Sequence, residues 1–256
     1  MNLPLTHRVA LVTGAAGGIG SAVCRELAAQ GAALCLADLA STAALAEELR
    51  ASGAKLAEVR GDVTSQASMA QAVQTVCAEL GRLDILVNVA GTVSLGPAVE
   101  ISEAEWDRVL AVNLKGTFLA CQAAMAPMRA QRYGRIINIG SVLGKNGGNP
   151  RPWVDPAEQK NAANAAYGAS KAGVHALTLY LAKELAADGI TVNAVAPGPV
   201  ASAMTANFPE NLRRLIPAGR MGEAAEVAAA VAFLAGERAA FITGEILDVN
   251  GGLWCD

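Results

Sequence analysis

Tyr167 and Lys171 are four residues apart, and they are the side chains of this sequence best suited to proton transfer. Residues at this spacing lie on the same face of a helix. A tyrosine has a pKa near ~10, so it accepts protons poorly at neutral pH. A neighbouring ammonium group favours the phenolate, and lowering the pKa by ~2 to 3 units takes roughly 3 to 4 kcal/mol. The pair therefore predicts a general acid/base, although ordinary amphipathic helices also carry this spacing.

A glycine-rich stretch joins a short apolar run at residues 8–13 to an amphipathic helical pattern. Its glycines are Gly14, Gly18 and Gly20, with Ile19 between the last two. Glycine lets the backbone approach a ligand closely, and free N–H groups at the start of a helix attract phosphate. The order of strand, glycine turn and helix predicts the pyrophosphate site of a dinucleotide. The spacing G-x-x-x-G-x-G differs from the commoner G-x-G-x-x-G, and a purely structural glycine turn is the alternative.

An acidic residue, Asp38, ends the second apolar run of the chain. At this place an aspartate can accept hydrogen bonds from the adenosine ribose hydroxyls, and its charge repels a 2′-phosphate. Leu39 and Ala40 follow it, and the glycine stretch contains no basic residue, so no neighbouring cation in the sequence offsets that repulsion. We therefore expect the cofactor to be NAD rather than NADP.

Short apolar runs alternate with helical patterns along the whole sequence. Strands joined by helices of roughly 10 to 15 residues form right-handed βαβ units, which place the strands parallel in one sheet. The sequence therefore predicts an α/β protein with a doubly wound parallel sheet, and a single domain over residues 1–256. Ligands collect beyond the carboxyl ends of such strands, where Ser141 and the turn at 88–91 are expected. The predicted strands cover 8–13, 33–37, a run ending at Val59, 83–88, 135–140, 191–195 and 246–249.

The composition limits the classes of partner. The chain has 256 residues, 53% of them hydrophobic and 17% charged, which is enough for a sizeable core. Because the net charge is −3 with no long basic run, we expect neither nucleic acid nor a membrane as partner. Residues 1–8 lack the apolar core of a secretion signal, and the five scattered cysteines form no C-x-x-C pair, so we expect a cytoplasmic protein. No metal site is expected, since no cluster has ligand spacing.

Several short motifs follow one another along the chain: Thr13-Gly14-x-x-x-Gly18-Ile19-Gly20, Asp62, Asn88-x-Ala90-Gly91, Asn113, Ser141, Tyr167-x-x-x-Lys171 and Pro197-Gly198. A single one of these motifs is weak evidence, whereas the ordered set is highly specific. Together they resemble the short-chain dehydrogenase/reductase family along nearly the whole chain. The resemblance implies a Rossmann fold and an oxidoreductase that uses a nicotinamide dinucleotide.

The resemblance implies roles for four side chains. Tyr167 would exchange a proton with the substrate oxygen, and Lys171 would lower its pKa and bind the nicotinamide ribose. Ser141 would hydrogen-bond the substrate oxygen and stabilise its developing charge. Asn113 matches the family position that anchors a water chain to bulk solvent.

The resemblance also implies how the cofactor is bound, and family members are usually homotetramers. Asp62 and Val63 match adenine contacts, and Asn88 matches a residue that supports the central sheet. Ser202 stands where the family more often has threonine, which keeps the hydroxyl. The implied cofactor-binding positions are Gly14, Gly18, Ile19, Gly20, Asp38, Asp62, Val63, Asn88, Ala90, Gly91, Tyr167, Lys171, Pro197, Gly198, Val200 and Ser202.

The spacing between Ser141 and Tyr167 departs from the family. They are 26 positions apart, about twice the usual interval, and the additional residues form an insertion at about 146–161. Pro150, Pro152 and Pro156 are expected to break any helix there. The insertion and a partly helical flap at about 199–217 are expected to border the substrate site. Trp153 could line the pocket or anchor the loop on the surface.

The residues expected around the substrate are apolar, and they include Leu143, Met204 and Phe208. An apolar pocket rejects a polyol, because the hydroxyls would be buried unpaired. We therefore expect an alicyclic or aromatic secondary alcohol and its ketone. The alternative enzyme is a 3-oxoacyl-thioester reductase acting on an acyl carrier protein, for which Arg129 and Arg132 could form the docking surface. A catalytically silent dinucleotide sensor is a more remote alternative. Val93, Leu95 and Val142 are further candidates for the lining.

Overall fold

Seven strands form the centre of the molecule. The computed structural model describes residues 3–148, 156–202, 205, 208 and 210–255. The strands are β1 (Val9–Thr13), β2 (Ala33–Asp38), β3 (Leu56–Arg60), β4 (Ile85–Asn88), β5 (Gly134–Ile139), β6 (Ile190–Pro197) and β7 (Ile246–Val249). All neighbouring strands pair in parallel, in the spatial order β3-β2-β1-β4-β5-β6-β7. The predicted α/β class and parallel Rossmann sheet are confirmed.

The strand order reverses beside β1, and this reversal positions the site. In the sheet, Thr13 at the end of β1 is paired with Ala37 of β2 on one side and with Asn88 of β4 on the other. The chain leaves these strand ends in opposite directions, which opens a crevice at the carboxyl edge. The glycine turn, Asp38 and the turn after Asn88 therefore lie along one edge of the sheet.

Helices cover both faces of the sheet. They are α1 (Gly18–Ala29), α2 (Ala43–Ala51), α3 (Gln66–Leu80), α4 (Glu103–Leu110), α5 (Gly116–Gln131), α6 (Leu143–Asn146), α7 (Pro156–Gln159), α8 (Ala165–Leu185), α9 (Glu210–Arg213) and α10 (Ala224–Ala235). Side chains of α1, α2 and α10 form one hydrophobic cluster with the sheet, and those of α3, α5 and α8 form another. Strands buried on both faces explain the nearly continuous apolar runs in the sequence.

A continuous helical stretch links α4 to α5 through a π-helical turn at Ala111–Lys115. The stretch Glu103–Gln131 has the length and apolar composition of a membrane-spanning helix. Its apolar residues Leu119, Ala124 and Met128 are instead buried in the cluster formed with α3 and α8. The helix therefore has the environment of a core helix.

One helix boundary differs from the sequence expectation, and another is defined only by the structure. Pro156 begins the short helix α7 rather than breaking a helix. Proline fits the first position of a helix, because its missing N–H would have no intrahelical partner there. Helix α8 begins at Ala165, two residues before Tyr167, with Asn164 as its N-cap.

The five cysteines lie in different environments and form no disulfide. Cys24, Cys35 and Cys121 are buried, and burial raises the pKa of each thiol to about 12. Cys77 is half-buried, and burial raises its pKa as well. Cys255 is exposed. Four of the five thiols therefore serve as packing groups.

Candidate active site

Ser141 and Tyr167 meet above the carboxyl end of β5. Ser141 follows that strand by two residues, and Tyr167 is the third residue of α8. The Ser141 hydroxyl lies near enough to the Tyr167 phenol to lower its pKa. The Leu143 N–H donates to Ser141 Oγ at 3.2 Å, which fixes the hydroxyl in the turn that begins α6. Despite the 26 intervening positions, the structure brings these two predicted residues into contact.

Burial dominates the ionisation of Tyr167. Desolvation raises the pKa of the phenol above its ordinary value, and the hydrogen bond from Ser141 opposes this shift. The expectation that Lys171 depresses the pKa is therefore not met in this structure. The physical reason is that loss of water around the phenolate outweighs the stabilisation that its neighbours supply.

Lys171 lies inside the protein between α8 and the sheet. Its Nζ is 5.8 Å from the centroid of the Tyr167 ring and donates to the carbonyl oxygen of Ile139 at 2.7 Å. Desolvation lowers the pKa of this ammonium group to about 8. Lys171 is 5% exposed, so water does little to stabilise its cationic form. Such a perturbed lysine beside a half-buried tyrosine is typical of a functional site.

Asn113 lies in the π-helical turn, fully buried beside the same cluster. Its amide group binds both backbone groups of Thr92: the Thr92 N–H donates to Oδ1 at 2.7 Å, and Nδ2 donates to the Thr92 carbonyl at 2.9 Å. Nδ2 also donates to Ser170 Oγ on α8 at 2.9 Å. A Cβ added at Gly91 would lie 3.4 Å from Asn113 Oδ1 and 3.6 Å from Lys171 Nζ. Asn113 and Lys171 therefore flank the turn after β4.

The glycine turn fits a dinucleotide pyrophosphate. Gly14 has a φ of +68°, and a Cβ there would lie 2.6 Å from the Ala90 nitrogen. A Cβ at Gly20 would overlap the carbonyl group of Gly14. The first turn of α1 has no side-chain cap and no acidic residue, so its N–H groups face the crevice with a positive dipole end. Ser202 lies beside this turn, with its Cβ 3.9 Å from a Cβ built on Gly18.

Asp38 connects the end of β2 to the glycine turn. One carboxylate oxygen accepts from the Ala16 N–H at 2.9 Å, and the other accepts from the Ala40 N–H at 2.9 Å. The sheet also pairs Asp38 with Arg60 of β3, which the sequence alone did not place beside it. Among the described residues, no ion pair joins the two side chains.

The remaining predicted cofactor positions surround the same crevice. Asp62 Oδ1 accepts from the backbone and the hydroxyl of Thr64, and Val63 is buried against Gly116 at the start of α5. Asn88 Nδ2 donates to Asn138 Oδ1 at 2.9 Å, which joins β4 to β5. The other positions follow strands β4 and β6: Ala90, Gly91, Pro197, Gly198 and Val200.

The expected substrate side is only partly described. Leu143 and Phe208 are half-buried, whereas Trp153 and Met204 lie outside the described residues. Val142 is 3% exposed, so it belongs to the core rather than to a pocket wall. Leu95 is 51% exposed and forms an isolated antiparallel bridge with Ala163.

Comparisons with known proteins agree with this geometry. A family model described as enoyl-(acyl carrier protein) reductase matches residues 14–254. The chain is 40% identical to the 3-oxoacyl-[acyl-carrier-protein] reductase FabG of Escherichia coli (strain K12), covering 96% of this chain and 97% of that protein. It is also 40% identical to the cis-4-hydroxycyclohexanecarboxylate dehydrogenase of Sinomonas cyclohexanicum, covering 98% of each. The chain belongs to the short-chain dehydrogenase/reductase family.

A solved structure supports both the fold and the class of cofactor. The crystal structure of a blue fluorescent protein from a metagenomic library, in complex with NADPH, matches with a TM-score of 0.87 at 35% identity. The match covers 98% of this chain and 100% of that one. The chain is thus a short-chain dehydrogenase/reductase with a site for a nicotinamide dinucleotide, and the choice between NAD and NADP is a separate question.

Sequence reasoning overlooked Asn138 near this short-chain dehydrogenase/reductase site and interpreted His175 as a packed or solvent-facing histidine. Asn138 Nδ2 donates to Thr178 Oγ1 at 2.9 Å, which joins the sheet to α8. His175 is packed beneath Gly140, and its Nε2 accepts from the Ser141 N–H at 3.4 Å. The sequence signal for both residues was a polar side chain inside an apolar strand or on the inner face of a helix. Such side chains are buried only when they have hydrogen-bond partners, so their positions indicate polar contacts.

Asn164 was also missed, although a sequence signal for it was present. An asparagine just before a helical pattern is a typical N-cap, and Asn164 precedes Tyr167 by three positions. No start of this helix was predicted from the sequence, so the capping residue was not considered.

Proposed function

We propose that this short-chain dehydrogenase/reductase interconverts a hydrophobic secondary alcohol and its ketone, with Tyr167 as general acid/base. The observation that supports the proposal most strongly is the proximity of the Ser141 and Tyr167 side chains, with Lys171 buried beside them. A single oxygen atom of a substrate placed at this pair could accept one hydrogen bond and exchange one proton.

The chain's own residues supply proton transfer and positioning in this proposal. In the oxidation direction, Tyr167 takes the alcohol proton, and in reduction it returns a proton to the carbonyl oxygen. Ser141 donates to the substrate oxygen and stabilises its negative charge. Lys171 places a cation near the phenolate, and Asn113 holds the turn that borders the crevice. A bound nicotinamide dinucleotide supplies the hydride acceptor or donor.

We propose NAD as the preferred cofactor. The carboxylate of Asp38 is held at the end of β2 by two backbone N–H groups, in a position from which it would repel a 2′-phosphate. Arg60 is the nearest basic residue along the sheet, and its charge would reduce that repulsion without removing it. Binding of NADH and NADPH, measured by fluorescence titration, tests this preference directly.

The proposed substrate class rests on the apolar residues near the site and on one relative. Leu143 and Phe208 offer half-buried apolar surface next to the Ser141 turn and in the flap. The relative from Sinomonas cyclohexanicum is named for a hydroxycyclohexane carboxylate, an alicyclic secondary alcohol that also carries a carboxylate. An alicyclic ring without further polar substituents fits such surroundings, because it leaves only the reacting hydroxyl to be hydrogen-bonded.

A second candidate is a 3-oxoacyl-thioester reductase, and the identity to the Escherichia coli FabG protein favours it. The candidate docking residues Arg129 and Arg132 are, however, already paired with acidic groups of this chain. Arg129 pairs with Glu184 at 3.1 Å and with Asp188 at 2.8 Å, and Arg132 pairs with Asp188 at 3.3 Å. Two cations beside two carboxylates leave little net positive charge to attract an acidic carrier protein.

A substrate panel separates the candidates. The panel would contain cyclohexanol, 1-phenylethanol, cis-4-hydroxycyclohexanecarboxylate, acetoacetyl-CoA and an acetoacetyl carrier protein, each with NAD(H) and NADP(H). We expect the highest kcat/KM for an alicyclic or aromatic alcohol with NAD. A strong preference for NADPH and a thioester would overturn the proposal. Cofactor binding without turnover of any compound would favour a silent dinucleotide sensor.

We also propose that the protein is a cytoplasmic homotetramer. Large apolar side chains are exposed on α10 and just after it, where Phe233 is 47% and Phe241 is 103% exposed. Others are exposed on α5 and α8, where Phe118, Leu179 and Tyr180 lie. Two separate apolar surfaces suit an assembly with more than one kind of interface. Light scattering after size exclusion would test the assembly, and a monomer would contradict it.

A further inference from the structure

We propose that Asn164 is a positioning residue for Tyr167, acting together with Ser94 on the preceding loop. The Asn164 Oδ1 atom accepts from the backbone N–H groups of Ala166 at 3.1 Å and Tyr167 at 3.3 Å. The side chain therefore caps the first turn of α8 and binds the backbone of the proposed acid/base residue itself. This inference rests on the proposed role of Tyr167.

The other half of the Asn164 amide holds that turn against the loop after β4. Asn164 Nδ2 donates to Ser94 Oγ at 2.7 Å and to the Leu95 carbonyl at 3.3 Å. The Asn164 backbone N–H donates to the Ser94 carbonyl at 2.9 Å. Asn164 and Ser94 are 7% and 4% exposed, so water competes little for these bonds. An ordinary N-cap stabilises its own helix, whereas this one also joins the helix to a second element.

The loop is fixed at its other end by Asn113. That residue binds the N–H and the carbonyl of Thr92, two positions before Ser94. Arg108 adds a bond to the Thr92 hydroxyl at 2.8 Å and is paired with Glu105. The Ser94 side chain also lowers the pKa of the Glu105 carboxyl, which is about 2, after the larger effect of Arg108. Two asparagines thus clamp one short loop between the π-helical turn and the catalytic helix.

The clamp lies next to the end of the insertion. The insertion at about 146–161 ends directly before Ala162 and Ala163. The Gly96 N–H donates to the Ala162 carbonyl at 3.0 Å, and Leu95 is bridged to Ala163. The bonds of Asn164 to Ser94 and Leu95 therefore hold the first turn of α8 through residues outside the insertion.

Four variants test the inference. Asn164→Ala removes the cap and the bonds to the loop, and Ser94→Ala removes the partner on the loop. Asn164→Asp keeps the cap and removes the donated bonds, because its carboxylate can accept from both backbone N–H groups but cannot donate to Ser94 Oγ or to the Leu95 carbonyl. Ser65→Ala is the matched control, since Ser65 caps α3 in the same way through the Ser68 N–H at 3.2 Å.

The first measurement is amide hydrogen exchange of peptides covering residues 164–171 in the protein without substrate. We expect faster exchange there in Asn164→Ala, and exchange close to wild type in Asn164→Asp and Ser65→Ala. This readout does not depend on any substrate, so it tests the inference even if the proposed reaction proves wrong. Unchanged exchange in Asn164→Ala would overturn the inference.

The second measurement is kcat and KM with cyclohexanol and with acetoacetyl-CoA, whichever is turned over, at saturating cofactor. A displaced reacting group lowers the rate of chemistry, so we expect kcat of Asn164→Ala to fall about 10- to 100-fold with KM and NADH affinity nearly unchanged. Ser94→Ala should cause a smaller loss, and the double variant should be no worse than Asn164→Ala, because both act through one contact. An equal loss of kcat in Ser65→Ala would reduce the effect to general destabilisation and overturn the inference.

Discussion

Tyr167 and Tyr180 lie on the same helix in opposite surroundings, which makes them a matched pair for substitution. Tyr167 contacts Ser141 inside the crevice, whereas Tyr180 is 78% exposed. Replacing Tyr167 with phenylalanine removes only the hydroxyl that exchanges the proton. We expect Tyr167→Phe to lower kcat by about 10²- to 10⁴-fold while NADH affinity stays unchanged.

The control and the contrary outcome for this substitution are both clear. Tyr180→Phe should retain the activity of the wild type, because its hydroxyl faces solvent. Steady-state kinetics of both variants with the substrate found in the panel would measure the difference. Full activity in Tyr167→Phe would defeat the proposed mechanism.

Burial of Lys171 makes the stability of the protein depend on pH in a specific direction. The pKa of the ammonium group is about 8 in the folded protein and 10.5 ordinarily, so between these values the unfolded chain binds more protons. The free energy of unfolding should therefore rise with pH in this range, by about 2 kcal/mol from pH 8 to pH 10 for this group. Below pH 8 the side chain is protonated in the folded and the unfolded protein, so the full cost of burying its charge lowers the free energy of unfolding.

Urea unfolding of wild type and Lys171→Met at both pH values would measure this contribution. The difference between the two proteins should shift in favour of the wild type as the pH rises, because the variant lacks the titrating group. The titration of groups that do not interact with Lys171 contributes equally to both proteins and cancels in the comparison. Parallel stability profiles would show that Lys171 keeps an ordinary pKa.

The Asp38 carboxylate gives a third expectation at the residue scale. Asp38→Asn keeps an acceptor for one backbone N–H group and removes the negative charge. We expect the Kd for NADPH to fall about tenfold relative to that for NADH, which corresponds to about 1.4 kcal/mol. Fluorescence titration measures both constants. An unchanged ratio of the two constants in Asp38→Asn would contradict the proposed preference for NAD.

A second substitution tests the charge of Arg60. Adding Arg60→Gln to the Asp38→Asn variant should reverse part of the gain in NADPH affinity if Arg60 supplies the compensating charge.

Helix α8 contains two glycines whose surroundings predict opposite effects of alanine. A Cβ at Gly168 would lie 3.8 Å from the Leu143 carbonyl oxygen, which is an ordinary contact. A Cβ at Gly173 would lie 2.7 Å from Leu114 in the π-helical turn. Gly168→Ala should raise the free energy of unfolding by about 0.5–1 kcal/mol through helix propensity.

Gly173→Ala should gain less stability or lose some, because Leu114 must move. That movement displaces the turn that contains Asn113, so we also expect a lower kcat. Thermal unfolding and steady-state kinetics of the two variants would be compared directly. A larger stability gain in Gly173→Ala than in Gly168→Ala would contradict the close packing of α8 on the π-helical turn.

At the scale of elements, the sequence predicted most strands and the ordered motifs, because apolar runs and glycine positions depend on local chemistry. Strand β4 was expected at 83–88 and is found at Ile85–Asn88. The π-helical turn was not predictable, since its additional residue is stabilised by contacts of Asn113 with distant residues. The role of Asn164 also depends on Ser94, which is 70 positions away in the sequence. Long-range polar contacts of this kind leave no periodic signal.

At the scale of the whole molecule, the sheet order brings together groups from all parts of the chain. The crevice is formed by residues from the glycine turn to Ser202, and the parallel pairing of seven strands determines their spacing. The sequence predicted this sheet because apolar runs alternate with helical patterns, and several of its motifs lie at strand ends. The paired state of Arg129 and Arg132 could not be predicted in the same way, since Glu184 and Asp188 approach them only through the packing of α8 beside α5.

The distribution of cysteines gives a whole-molecule expectation for thiol chemistry. A thiolate is the reactive form, and burial with a pKa near 12 suppresses it at Cys24, Cys35 and Cys121. Brief treatment of the native protein with a maleimide should modify Cys255 first and Cys77 more slowly. Intact-mass spectrometry would count the adducts, and Cys255→Ser should lose the fast one. Rapid modification of three or more thiols would contradict the burial described above.

One exposed thiol near the carboxyl end of the chain has a practical consequence. A fluorophore, an affinity tag or a solid support could be attached at Cys255 without changing any residue of the sequence. Cys255 lies after β7, on a surface that it shares with Pro199 and Ile216 of the flap. Protein immobilised in this way would present its molecules in a uniform orientation, which suits continuous-flow use in the proposed reaction.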